Sequence, residues 1–91
     1  MQAESTVPKR GPDTLALSAL GWVLGDPYRA ARLLALTGLT PDQLRDGLGD
    51  SSVLGAVLDF LAAHEPDLVA AADALGVKPE ELIAAQAELA R

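Results

Sequence analysis

Cysteine is absent from the 91 residues. That removes disulfides, thiolate nucleophiles and Cys-ligated zinc or iron–sulfur centres together. Aromatic residues are nearly absent as well: Trp22, Tyr28 and Phe60 are the whole set. Basic residues are scarce, seven Lys and Arg against thirteen Asp and Glu, for a net charge of −6. Nucleic-acid affinity rests on Lys and Arg that neutralise phosphates, so charge argues against a nucleic-acid partner. The same field disfavours an anionic membrane surface. Hydrophobic runs of bilayer length are missing too. The longest uncharged apolar stretch, Leu15 to Gly25, is about half of the ~20 residues a membrane-crossing helix needs. Lys9 and Arg10 precede it as the basic residues of a secretion leader would. Pro12 and Asp13 intervene, however, and the helical pattern continues downstream, so no leader is expected. There is no HExxH, no Gly-rich phosphate loop and no EF-hand spacing, so neither a metal nor a cofactor is expected.

What remains is chiefly Ala and Leu, among the strongest helix formers, with few β-branched residues. An all-α fold follows. Met1 to Pro12 is polar, with two prolines and a glycine, and reads as a disordered tail. Residues 13–91 read as one helical domain. Proline is favoured at the first position of a helix and glycine just beyond its end. Asp26-Pro27, Thr40-Pro41, Glu65-Pro66 and Lys78-Pro79 look like starts; Gly25, Gly38 and Gly76 look like stops. Asp13 reads as the first N-cap, and Thr40 with Gln43 matches a capping box. Six helices are predicted: Thr14–Leu24, Pro27–Thr37, Pro41–Leu48, Ser51–His64, Pro66–Leu75 and Pro79–Ala90.

The apolar spacing fits a compact orthogonal bundle. In the fourth helix Val53, Val57, Phe60 and Leu61 share a stripe, with Leu54 and Leu58 alongside and Asp59 facing away. The first helix is apolar nearly all round, which predicts a central position. The expected core is Leu17, Leu20, Trp22, Leu24, Leu34, Leu58, Phe60 and Leu61. Gly21 and Gly55 lie inside helices, where close approach of a neighbour is the expected reason. An internal echo is present. Gly38-Leu-Thr-Pro-Asp-Gln-Leu44 matches Gly76-Val-Lys-Pro-Glu-Glu-Leu82, and at the same offset Leu20, Trp22 and Val23 match Leu58, Phe60 and Leu61. Two similar three-helix units are one reading; a recurrent stop-and-start grammar is the other.

Candidate chemistry is thin. His64 is the single histidine, with Glu65 and Asp67 near it, and reads as a helix C-terminal residue facing the macrodipole. Arg29 and Arg32 share a helix face and Arg45 follows. Together they form a candidate anion site, or else a solvated face paired with acids such as Asp26 and Asp46. A turn before the third helix resembles a DNA-binding helix-turn-helix. Asp42 and Asp46 on the would-be recognition helix would face phosphates, which argues against it. Asp50-Ser51 opening an amphipathic helix resembles the acyl carrier proteins, in which such a serine holds a phosphopantetheine arm. Ser52 stands where that family has an apolar residue, and N-capping explains all three side chains.

Three stretches, Asp13 to Leu24, Ala35 to Arg45 and Val57 to Leu61, resemble a family of short bacterial proteins known only as a domain of unknown function. The similarity runs from Asp13 to about Val77. It implies a small cytoplasmic all-α protein and brings no activity or site residues with it. Members of that family carry proline where this chain has Ser51, which weighs further against a covalent arm.

The expected function is therefore a non-enzymatic binding or adaptor module, acting on a protein partner or by self-association. Two alternatives are a carrier with an arm on Ser51 and an oligomeric enzyme in which Arg29, Arg32 and His64 converge from two chains.

Overall fold

The structure, a computed structural model, describes residues 11–91. All the regular structure in that range is helical: α1 Pro12–Leu24, α2 Pro27–Thr37, α3 Pro41–Asp46, α4 Ser51–Ala62, α5 Glu65–Leu75 and α6 Pro79–Leu89. The expected tail falls mostly on residues 1–10, outside the described residues, as do Lys9 and Arg10. Its last two residues belong to the fold: Gly11 is the N-cap of α1 and Pro12 its first residue. Asp13 is thus not the cap. It lies in the first turn and accepts from the backbone N–H of Thr14.

The other starts form as the residues dictate. The Asp26 carboxylate accepts from Arg29 N at 3.0 Å. Thr40 and Gln43 form the reciprocal box, with Gln43 N donating to Thr40 Oγ1 at 3.1 Å and Thr40 N to Gln43 Oε1 at 2.9 Å. At Lys78 half of that device survives, the Glu81 carboxylate accepting from Lys78 N. Gly38 and Gly76 end α2 and α5 at φ 76° and 71°, the left-handed region that glycine enters without steric cost. Gly25 ends α1 at φ −72°, with no left-handed residue, and Asp26 starts α2 at once.

The core joins α1, α4, α5 and α6, with α2 packed on α1 and α4 and α3 at the periphery. Leu20, Val23, Leu33, Leu54, Val57, Leu58, Phe60, Leu61 and Leu82 are buried. Four of the eight expected core residues, Leu20, Leu58, Phe60 and Leu61, are among them. Trp22 and Leu34 are partly buried against the cluster. Leu17 and Leu24 are exposed, at 39% and 48%. The correction has a plain cause. α1 is central, as expected, but its neighbours cover only the arc of Leu15, Ala16, Ala19, Leu20 and Val23. The opposite arc, with Leu17, Gly21 and Leu24, stays open.

The glycine expectations also change. A Cβ at Gly21 would meet nothing within 4 Å, and one at Gly55 would make only an ordinary 3.8 Å contact with Leu89. The close approach is at Gly47 instead. A Cβ there would lie 2.5 Å from Val53 Cγ2 and 2.8 Å from the Gln43 carbonyl oxygen.

Candidate functional site

Two features of the described surface concentrate chemistry, and both grow from α2. On α2, Arg29, Arg32, Leu33 and Leu36 recur at i, i+3, i+4 and i+7, so charged and apolar side chains share one face. From that face the guanidinium of Arg29 stacks over the Trp22 ring, 3.7 Å from its centroid. Its Nη2 donates to the Trp22 carbonyl oxygen at 2.5 Å, at the carbonyl-rich end of α1. One turn on, Arg32 sits over the Phe60 ring and donates to the Asp67 carboxylate of α5. His64 Nδ1 lies 3.1 Å from the same Asp67 oxygen. Asp67 is well covered, with 14% of its side chain exposed, and holds Arg32 by a hydrogen bond with His64 beside the same oxygen. Arg32 thereby ties α2 to the α4–α5 junction.

The candidate anion site does not assemble. Arg29 turns to Trp22, Arg32 to Asp67, and Arg45 to Asp42 on its own helix at 3.0 Å. The paired acids are therefore Asp67 and Asp42; Asp26 is used as a cap. His64 is also relocated: it is the N-cap residue of α5, with Glu65 and Pro66 as the first two helical positions. Of the trio Arg29, Arg32 and His64, two converge within a single chain, on Asp67. No sequence signal marks that convergence, because Arg32 and Asp67 are 35 residues apart. Among the described residues, no group of three His, Cys, Asp or Glu side chains is placed to hold a metal. No helix there is long and apolar enough to cross a membrane.

Ser51 is exposed at the first position of α4. Asp50 before it accepts from both the backbone N–H and the hydroxyl of Ser52, each at 2.8 Å. The Ser52 N–H, then its hydroxyl, hold the Asp50 carboxyl below its ordinary pKa. Asp50 and Ser52 thus serve the helix start.

Two concavities border α2 on different sides, one at Leu36 and one at Leu34. The larger, about 420 Å³, lies between α2 and α4 and is walled by Leu36, Thr37, Ala56, Phe60 and Ala63, with the Asp59 carboxylate at its edge. Leu36 is 73% exposed there, the most exposed aliphatic among the large hydrophobic side chains at the described surface. Asp59 is exposed and accepts from Gln86 Nε2 at 2.7 Å. The second, about 330 Å³, lies between α1, α2 and α3, lined by Leu20, Leu24, Leu34, Pro41, Leu44, Arg45 and Leu48.

Compared with known proteins, residues 9–91 match a family model described as "Protein of unknown function (DUF3572)". The chain belongs to that family. The match continues past Val77 to the last residue, so α6 is part of the family's domain. No curated protein and no solved structure matches the chain.

Proposed function

We propose that this chain is a non-catalytic binding module that takes a protein partner in the α2–α4 cleft. One observation carries the reading: an apolar cleft with an exposed Leu36 on its lip and a single carboxylate, Asp59, at its edge. A partner segment that presents an aliphatic or aromatic side chain beside a Lys or Arg fits that chemistry. The wider charge supports a basic partner. The chain is acidic, and Arg29, Arg32, Arg45 and Arg91 each already lie against a ring, a carbonyl or a carboxylate. Arg32 and His64, the pair best suited to catalysis, both face Asp67 in a contact that joins helices, which supports a structural use. The lack of cysteine fits a reducing compartment such as the cytoplasm.

The test is capture from native lysate by the full chain, run beside Leu36→Asp and Asp59→Lys. A stoichiometric partner is expected on the wild type, weakened by added salt and lost from both variants. Retention of the same partner by both variants, or none on the wild type, contradicts the proposal.

A further inference from the structure

We propose that the groove between α1, α2 and α3 binds a medium-chain alkyl carboxylate, with Arg45 at its mouth receiving the carboxylate. The site is separate from the α2–α4 cleft. Leu20 and Leu44 line it and are themselves buried, so the groove runs down to the core. Leu24 and Leu48 are its exposed lips. At about 330 Å³ it has the volume of a small-molecule site rather than of a flat protein contact.

The polar inventory of the lining selects the occupant. Arg45 is the one lining side chain able to form a hydrogen bond; the others are leucines and Pro41. A guanidinium donates and never accepts, so the ligand must end in an acceptor, and its charge favours an anion. The rest of the ligand must be apolar. A peptide laid in the groove would bring backbone N–H and C=O groups that these side chains cannot match, at a cost for each one buried. An amphiphilic ammonium would meet a like charge. An alkyl chain that ends in a carboxylate meets every one of these requirements.

The neighbouring acids leave Arg45 available. Its partner Asp42, at 3.0 Å, is 79% exposed and Arg45 itself 72% exposed. Such a surface pair contributes little, and a carboxylate anchored by its own alkyl chain can replace it. Asp46 lines a different depression, together with Gln43 and Asp50. Asp26, two residues past Leu24, is turned to the first turn of α2, where it accepts from Arg29 N. The wall can also adjust to a ligand, since α3 is six residues long and peripheral.

Octanoate, octanol and octylammonium, each titrated into the full chain and followed by amide NMR shifts, test the assignment. Octanoate is expected to saturate one site and to move the amides of Leu20, Leu34 and Leu44, while those beside Phe60 stay in place. It should bind about two- to fivefold more tightly than octanol, the increment of an exposed charge pair, and octylammonium should bind most weakly. Arg45→Gln should erase the advantage of octanoate over octanol. Asp42→Asn should enlarge it by removing the competing carboxylate. Leu48→Asp, on the lip, should weaken both. Absence of saturable binding overturns the proposal, as do shifts centred on the α2–α4 cleft. Equal affinity of the wild type for all three probes would show a groove open to any apolar segment, and overturns it too. So does an Arg45→Gln variant that still prefers octanoate.

Discussion

The segments Gly38–Leu44 and Gly76–Leu82 share a local structure and end in different places. Each opens on a left-handed glycine, starts a helix at proline and uses its N3 side chain to accept from the N-cap backbone N–H. Each then buries a leucine, Leu44 or Leu82. Beyond that they part. The first leads into α3, six residues at the edge of the fold; the second leads into α6, eleven residues packed on α1 and α4. Stop-and-start grammar is therefore a property of a few consecutive residues, whereas position in the bundle depends on how far each helix runs. α3 ends at Gly47, where the chain passes so close to Val53 that only glycine fits. The echo is real in backbone and caps, and it does not make two equivalent units.

Several substitutions press on that difference. Leu82→Ala should cost about 2–5 kcal/mol and Leu44→Ala clearly less, since α3 can readjust at the periphery. Urea denaturation of both variants checks this, and equal losses would erase the distinction between the helices. Gly47→Ala should cost about 1–3 kcal/mol, because a methyl group there meets Val53 and a backbone carbonyl. The same measurement on Gly49→Ala, with open space around it, serves as the reference. Gly38→Ala and Gly76→Ala should each cost about 1–2 kcal/mol, and by similar amounts, since both have φ near 70° and neither has a neighbour to clash with. Thermal midpoints that differ widely between the two would show that context, not backbone conformation, governs them. The caps sharpen the contrast in the opposite sense. Thr40→Ala should lose about 1 kcal/mol, whereas Lys78→Thr should gain a similar amount by supplying the oxygen its start lacks.

The smallest effect concerns acid. Asp50 has a lowered pKa in the folded chain, first through the Ser52 N–H and then through its hydroxyl. A carboxyl of that kind stabilises the fold above its unfolded pKa and loses the contribution as pH falls towards the lower, folded value. Asp50→Asn should therefore flatten the acid limb of the stability curve. An NMR titration of the Asp50 carboxyl in the wild type should find its midpoint below that of an unfolded peptide.

The helices were legible because proline and glycine mark their ends by stereochemistry that needs no tertiary context. The stripe on α4 was legible for a related reason: Asp59 interrupts the apolar pattern and gives it a phase. α1 has only Ser18 to interrupt it, and no charge, so periodicity cannot say which of Leu17, Leu20 and Leu24 turns inward; only its neighbours decide. Trp22 reads as a buried anchor, yet it is only partly buried against the core, with the Arg29 guanidinium of α2 stacked on its ring. The site was less legible still. Arg32 of α2 meets His64 and Asp67 at the start of α5, and the α2–α4 cleft exists only once Leu36 is placed beside Phe60. Gly47 gives no sign of its constraint, because the clashing Val53 belongs to the next helix.

The account depends on a firm interior of α1, α4, α5 and α6 on which α2 and α3 form open, apolar surfaces. Native-state hydrogen exchange tests this most directly. Core amides of α1, α4 and α6 should exchange only through global unfolding, and those at the end of α3 through a local opening of much lower free energy. Equal protection of α3 and α6 would contradict it.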